Sequence, residues 1–329
     1  MIITQTPLRI SFLGGGTDLP DFYRAHGGAV LNSAIDKYVY CIVKERFDDD
    51  IYVNYSEKEI VKRPDDLKHE LVREAMKIVG IEKSIEISFL SDIPAAGSGL
   101  GSSSSVTVGV LNALHQYVGQ AVPAKQLAEE AMEIEITRLK KPMGPQEIYI
   151  AAFGGVRLLT FNYENGLDLI EAQRVKMTPE ALDDLDNSLM LFYTGVTRKS
   201  EVVLKEQKAN IPDRAETLKK MARQAWDLKP ILEAGRIKEL GELLHEGWEL
   251  KKKLASNISN PQIEDWYLDA REAGALGGKI AGAGAGGFML LYVPSDKRIK
   301  VRKALSELKE MPFHLEPDGS KVIFNYRRR

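Results

Sequence analysis

Residues 94–105 read Pro-Ala-Ala-Gly-Ser-Gly-Leu-Gly-Ser-Ser-Ser-Ser, and this stretch constrains the chain more than any other. Before it, Ile85, Ile87 and Phe89 alternate with charged or small residues, the period of a half-buried strand. After it, Val106, Val110, Leu114 and Val118 recur every four residues as far as Gly119, the pattern of an amphipathic helix with a glycine stop. A flexible glycine–serine linker would not be framed by two such elements. The order is therefore strand, glycine loop, helix. At Gly97, Gly99 and Gly101 backbone N–H groups can approach a ligand without a Cβ in the way. The helix N-terminus that follows favours negative charge through its unpaired amides and its dipole. The stretch reads as a polyphosphate-binding loop drawn from Pro94, Gly97, Ser98, Gly99, Leu100, Gly101, Ser102, Ser103 and Ser104. No Gly-Lys-Ser/Thr follows the glycines, which excludes the Walker A type.

A second glycine block, Gly282, Gly284 and Gly287, satisfies G-x-G-x-x-G. A dinucleotide fold would need a strand before it and a helix after it. Here a helix-like stretch, Ile263–Ala273, precedes and a strand-like run, Phe288–Val293, follows, so that reading fails. Strand patterns dominate the first 60 residues, at Leu8–Leu13, Ala29–Ile35, Tyr38–Glu45 and Ile51–Tyr55. Helical patterns occupy 66–79, 103–118 and 124–139, and a strand-like run covers Val156–Phe161. A strand pattern from Asp184 to Tyr193 opens a second unit, which is helical and charged from Arg198 to Leu254 and returns to strands at 288–293 and 322–326. Strands and helices mix without strict alternation, which predicts an α+β architecture in two units, 1–180 and 181–329.

Composition excludes several classes. Lys and Arg number 45 against 47 Asp and Glu, a net charge of −2, so nothing global points to nucleic acid or an anionic membrane. The longest apolar runs are about six residues, against the ~20 that a membrane span needs, and no signal peptide is evident. Cys41 stands alone and cannot form an internal disulfide, which suits a reducing cytoplasm; in its strand it reads as a small buried hydrophobe. The five histidines show no metal-ligand spacing, and Arg327-Arg328-Arg329 reads as a solvated tail.

Two further blocks complete the pattern. Residues 7–20 read Pro-Leu-Arg-Ile-Ser-Phe-Leu-Gly-Gly-Gly-Thr-Asp-Leu-Pro, and residues 274–288 read Gly-Ala-Leu-Gly-Gly-Lys-Ile-Ala-Gly-Ala-Gly-Ala-Gly-Gly-Phe. With the loop at 94–105 they resemble the galactokinase, homoserine kinase, mevalonate kinase and phosphomevalonate kinase (GHMP) superfamily, in an order that spans nearly the whole chain. The first block, with Gly-Gly-Ala-Val-Leu at 27–31, is most similar to the branch that phosphorylates heptose 7-phosphate. The resemblance implies a two-lobed α+β fold, with an N-terminal ribosomal-protein-S5-domain-2-like lobe and a C-terminal ferredoxin-like α/β lobe. It also implies ATP and Mg²⁺, a small-molecule sugar or sugar phosphate held between the lobes, and no nucleic acid or membrane partner; monomer and homodimer both stay open.

Residue by residue, the resemblance implies a metal site of Ser103 and Glu135. Ser103 also suits a helix N-cap, and Glu135, near Glu129, Glu130 and Glu133, also suits a solvated acidic face. The heptose-kinase branch has Lys-Gln-Asp-Gln-Tyr where this chain has Pro145-Gln146-Glu147-Ile148-Tyr149. Glu147 thus takes the place of the aspartate that serves as candidate general base, with roughly 1.5 Å more reach. Arg9 is implied beside that carboxylate and the transferring phosphate. Gly16, Thr17 and Asp18 are implied at the sugar, with Asp18 on an exposed turn; an Asx-type turn stabiliser is its other reading. Gly284 belongs to the loop that closes the site, and Thr194 and Arg198 to a substrate-side loop. Arg198 reads equally as a phosphate ligand or a first-turn helix charge. The expected function is phosphorylation of an anomeric hydroxyl on a heptose 7-phosphate. A fucose- or galactose-type sugar 1-kinase and, because of Glu147, a catalytically silent sugar- and ATP-binding sensor are the alternatives.

Overall fold

Glycines and prolines punctuate the chain into twelve strands and eleven α-helices in the computed structural model, which describes residues 1–93, 97–196 and 200–326. In the first half these are β1 (Ile2–Leu13), α1 (Pro20–His26), β2 (Gly28–Glu45), β3 (Ile51–Asn54), β4 (Lys58–Val61), α2 (Glu70–Val79), β5 (Ile85–Ser91) and α3 (Ser102–Tyr117). Then come α4 (Ala124–Met132), running into a π-helical turn (Glu133–Arg138), α5 (Gln146–Phe153), β6 (Val156–Glu164) and β7 (Leu167–Arg174). The second half holds α6 (Pro179–Ser188), β8 (Leu189–Tyr193), α7 (Ser200–Ala209), α8 (Ile211–Glu233), α9 (Glu239–Lys251) and α10 (Pro261–Glu272). It closes with β9 (Gly277–Ile280), β10 (Phe288–Tyr292), α11 (Arg298–Ala304), β11 (Lys309–Glu310) and β12 (Lys321–Asn325).

The first lobe is an eight-stranded sheet in the order β12-β1-β2-β5-β3-β4, with β6 and β7 added alongside β2. All pairs are antiparallel except β3 with β5. The two strands expected at Ala29–Ile35 and Tyr38–Glu45 are one strand, β2. Its register against β1 jumps from Tyr38 opposite Pro7 to Ile35 opposite Leu8, so Asp36 and Lys37 form a bulge that looks like a break in sequence. The early part of β2 pairs with β6 and its late part with β5, so the bulge lets one strand serve two neighbours.

The second lobe packs α-helices on the four-stranded antiparallel sheet β11-β8-β10-β9. The strand expected from Asp184 begins only at Leu189, because Thr178 caps α6 through the Ala181 amide and the helix runs to Ser188. The segment assigned to the second unit also does not stay there. Beyond β11 the chain returns to the first lobe: Ala34 and Glu316 pair through backbone, and β12 lies antiparallel to β1. Residues 8–13 of β1, a strand packed by α3 and α5 of the first lobe and by α8 and α9 of the second, are buried without alternation. Leu8, Ile10 and Phe12 share a core with Leu228, Leu240 and Leu290 of the second lobe. This shared core fixes the two lobes against each other and defines the walls of a cleft between them.

Candidate active site

The cleft is floored by the glycine loop. Gly97, Gly99 and Gly101 have φ of +74°, +73° and +83°, a left-handed backbone that other residues adopt only at a cost. Gly101 leads directly into α3. Gly97, Ser98, Gly99, Gly101, Ser102, Ser103 and Ser104 line the cleft, as expected of a phosphate loop. Leu100 differs: its side chain is fully buried in the core shared by the lobes, and its carbonyl accepts the Arg9 amide at 2.9 Å, which ties the loop to β1. Pro94 falls outside the described residues. Across the cleft, the block expected to close the site presses on this loop. A Cβ at Gly99 would stand 2.6 Å from the Ala281 carbonyl oxygen, and one at Gly282 would stand 2.8 Å from Gly99. Gly282 and Gly284 both line the cleft.

Arg9 projects from β1 into the same space although only 3% of it is exposed. One terminal nitrogen donates to the Gly99 carbonyl at 2.5 Å, and the other pairs with Glu147 Oε1. Glu147 sits in the first turn of α5 and remains open to the cleft. The loop, the cation and the carboxylate of the expected machinery thus lie in one cluster. Asp18 joins them, but not on an exposed turn: it is 2% exposed. Its Oδ1 accepts from the Gly16 amide at 3.0 Å and from Gln146 Nε2 at 2.9 Å, and the Gln146 amide approaches Oδ2 at 3.4 Å. Burial, and secondly the charge of Glu147, push the Asp18 carboxyl up to about 6. Gly16 lines the cleft beside it. Thr17 does not, because its hydroxyl donates to the Ala29 carbonyl at 2.9 Å and accepts the Ala29 amide at 3.1 Å. That threonine splices the turn to β2. Thr194 likewise commits its hydroxyl to the Gly287 carbonyl, at 2.8 Å, and holds the closing block in place instead of facing the sugar side. Arg198 lies outside the described residues.

Ser103 and Glu135 also meet. Of the four successive hydroxyls only Ser103 belongs to an exposed residue, and its Oγ is 3.3 Å from Glu135 Oε2. Glu135 is completely buried, so the acidic-face reading does not hold. The π-helical turn carries it inward, away from Glu133. Lys141 Nζ spans both groups, at 3.3 Å from Ser103 Oγ and 3.4 Å from Glu135 Oε2. Burial pushes the Glu135 carboxyl up, and its second oxygen, Oε1, has no partner among the described residues. A hard-oxygen pair with one buried, unsatisfied carboxylate oxygen beside a phosphate loop suits Mg²⁺, which takes one or two protein oxygens and the rest from phosphate and water.

Three polar groups at the site carry no role assigned from the sequence. Lys251, the last residue of α9, is 3% exposed, lines the cleft and donates to the Gly282 carbonyl at 2.7 Å. Burial drives its ammonium down to about 8, partly opposed by the charge of Asp18. Lys279 lies behind it on β9 with Nζ 3.3 Å from the Phe12 carbonyl, and burial carries its ammonium well down. Gln146 is the donor that orients Asp18. A signal for Lys251 does exist: Leu240, Leu244, Trp248 and Lys251 fall on one helix stripe, so a lysine occupies a position of the buried face.

Comparison with known proteins identifies the family. The model for the GHMP kinases N terminal domain matches residues 67–155, which include the glycine loop, Glu135 and Glu147. The model for GHMP kinases C terminal matches residues 228–310, which include Lys251 and the closing block. The D-glycero-alpha-D-manno-heptose 7-phosphate kinase of Campylobacter jejuni is 31% identical over 318 residues, covering 92% of this chain and 93% of that protein. The L-fucokinase/L-fucose-1-P guanylyltransferase of Bacteroides fragilis is 27% identical over 92% of this chain, which spans only 36% of its length. Among solved structures, a D-glycero-D-manno-heptose 1-phosphate kinase from Bacteroides thetaiotaomicron superposes with a TM-score of 0.81 at 28% identity, covering 99% of this chain and 100% of that one. Two domain models, a relative matched over nearly its full length and a full-length superposition agree, and the chain belongs to the GHMP kinase family.

Proposed function

We propose that this protein transfers the γ-phosphoryl group of ATP to the anomeric hydroxyl of a heptose 7-phosphate, yielding the 1,7-bisphosphate. The observation that carries the reading is the meeting of Arg9, Glu147, Asp18 and the glycine loop in one cleft. Phosphoryl transfer asks for positioned phosphates, neutralised charge and an in-line hydroxyl more than for covalent help. Backbone amides of Gly97–Gly101 and the α3 N-terminus receive the phosphates. Arg9, braced between the Gly99 carbonyl and Glu147, presents its guanidinium where charge builds on the transferring group. Glu147 accepts the proton of the attacking hydroxyl, and Asp18 takes hydrogen bonds from neighbouring sugar hydroxyls. Ser103 and Glu135 would hold Mg²⁺, which would neutralise phosphate charge; Lys141 is the counter-ion of Glu135 and donates to the Ser103 hydroxyl.

The test is ³¹P NMR of ATP consumption with Mg²⁺ over a panel of sugars and sugar phosphates. A new anomeric phosphate resonance on heptose 7-phosphate is the expected outcome. Turnover only on free fucose or galactose favours the sugar 1-kinase reading, for which the fucokinase relative speaks. Calorimetric binding of both ATP and a sugar without turnover of any acceptor favours the sensor.

A further inference from the structure

The cleft does not end at Asp18. Leu19 and Met143 line it and also line a second groove, which continues outward between α1, the segment after the π-helical turn, and α7. None of the glycine-loop residues borders that groove. It therefore extends the acceptor end of the cleft, next to the turn that carries Asp18, and not the nucleotide end.

The groove wall is strongly basic. Arg24, Lys140, Lys141, Lys205 and Lys208 face a single acid, Asp21. The whole chain carries slightly fewer cations than anions, 45 against 47, so this ratio is a local concentration and not the average composition. Some of these charges are neutralised: Lys208 pairs with Asp21 at 3.0 Å, Arg24 with Asp168 at 2.7 Å, and Lys141 with Glu135 at 3.4 Å. Lys140 and Lys205 have no acidic partner among the described residues and lie on opposite walls, one from each lobe. Lys140 also holds a left-handed backbone, φ +51°, just past the end of a helical run. Glycine or asparagine normally takes that position, and a lysine there costs about 1–2 kcal/mol. Strain in a non-glycine residue that gains no internal partner is characteristic of a ligand-facing segment.

We infer that this groove seats the anionic end of the acceptor, a phosphate monoester carried on the sugar away from the hydroxyl that reacts. A phosphate offers three acceptor oxygens and close to two negative charges, which suits ammonium groups converging from separate segments. A neutral sugar has no use for them. The inference rests on the sugar-phosphate reading above and assigns the second charge of that substrate to Lys140 and Lys205, with Arg24 and Lys208 at the margin.

The test is the double variant Lys140→Ala/Lys205→Ala. Both residues are exposed, so the fold has little to lose. Two readouts are needed: steady-state kinetics with heptose 7-phosphate and with the unphosphorylated heptose, and calorimetric titration of inorganic phosphate with the glycine loop filled by a non-hydrolysable ATP analogue and Mg²⁺. The expected result is a fall of about tenfold per ammonium in kcat/KM for the phosphorylated acceptor, each lost charge-assisted bond being worth about one decade or more. KM for ATP and turnover of the free heptose stay as in the parent, and the phosphate titration is weakened. Equal losses on both acceptors, a raised KM for ATP, or unchanged phosphate binding overturns the assignment. If the parent turns over no sugar phosphate yet its phosphate binding is lost in the variant, the groove stands and the heptose reading falls.

Discussion

Asp18→Asn should make the protein more stable and less active, and the size of the gain follows from where the carboxylate sits. An aspartate carboxyl lifted from 3.8 to about 6 holds its charge in the folded state at a cost of about 3 kcal/mol, at 1.36 kcal/mol per pKa unit. Asparagine removes the charge and keeps the carbonyl that receives Gly16 and Gln146 Nε2. It turns an NH₂ toward the Gln146 amide in place of Oδ2, forfeiting a long bond and about 1 kcal/mol. The net gain at pH 7.5 is about 2 kcal/mol. Its pH dependence has a definite sign. The folded-state value lies above the unfolded one, so below about pH 4 both states are protonated and the charge costs nothing. Between about 4 and 6 the native state holds its proton longer than the unfolded chain does, and the penalty grows to its full size above about 6. Urea unfolding of parent and variant at pH 4.5, 5.5, 6.5 and 7.5 reads this directly, with a thermal midpoint raised by a few degrees at pH 7.5. The variant should lose acceptor turnover while ATP binding is retained, the usual trade between stability and function. A variant less stable than the parent at pH 7.5, or a stability gap that is flat from pH 4.5 to 7.5, would refute the argument that Asp18 is a charge held at a cost.

Glu147→Gln keeps a hydrogen-bond partner for Arg9 but no proton acceptor, so kcat should fall by about 10²–10⁴ with KM for ATP within a few fold, measured by coupled assay. Gly99→Ala should both lower the thermal midpoint and weaken ATP binding by calorimetry, because its Cβ meets the Ala281 backbone at 2.6 Å and its φ is +73°; a variant of normal stability that merely binds ATP less well would mean that the loops do not press on each other. Glu135→Gln removes a buried charge, so its thermal midpoint should hold or rise while the Mg²⁺ concentration for half-maximal turnover increases. Ser103→Ala should shift the same Mg²⁺ curve, and the double variant should shift it by less than the sum of the two.

What could be read from the sequence was what local chemistry dictates. The strand, glycine loop and helix at 85–118 announce themselves because each glycine of the loop answers a positive φ and β5 alternates at its start; α3 itself is buried on every side from Thr107 to His115, which its four-residue apolar stripe does not show. Arg9, which the resemblance implies beside the carboxylate of Glu147, does face the cleft. What escaped was long-range. β12 pairs with a strand some 320 residues earlier, and nothing within its own five residues says which sheet will take it. The helix α5, with Glu147 in its first turn, was hidden because Pro142, Gly144 and Pro145 read as loop, whereas Pro145 occupies the N-cap from which the helix starts. Asp18 looked exposed because three glycines precede it. Gly144, across the turn, instead lets backbone close over it: a Cβ there would stand 2.1 Å from Asp18 Oδ2.

Lys251 shows why such a site is hard to read in one dimension. It stands in the run Lys251-Lys252-Lys253, where three identical residues have different fates. Lys252 pairs with Glu249 and Glu264, Lys253 is exposed, and Lys251 alone turns inward on the stripe of Leu240, Leu244 and Trp248. Its cation is desolvated on the second lobe and Asp18 is a desolvated anion on the first, whose charge raises the charged fraction of Lys251. With the lobes apart both groups would be hydrated and would ionise as ordinary side chains; it is the packing of the lobes that desolvates them. The shared core of Leu8, Ile10, Phe12, Leu228, Leu240 and Leu290 keeps the lobes together, and the glycines at 99 and 282 let their loops touch. The chemistry of the cleft is thus a property of the interface between the lobes. Its acid, its cation and its phosphate loop come from segments that sequence separates by up to about 240 residues and that only the packed core brings within reach of one substrate.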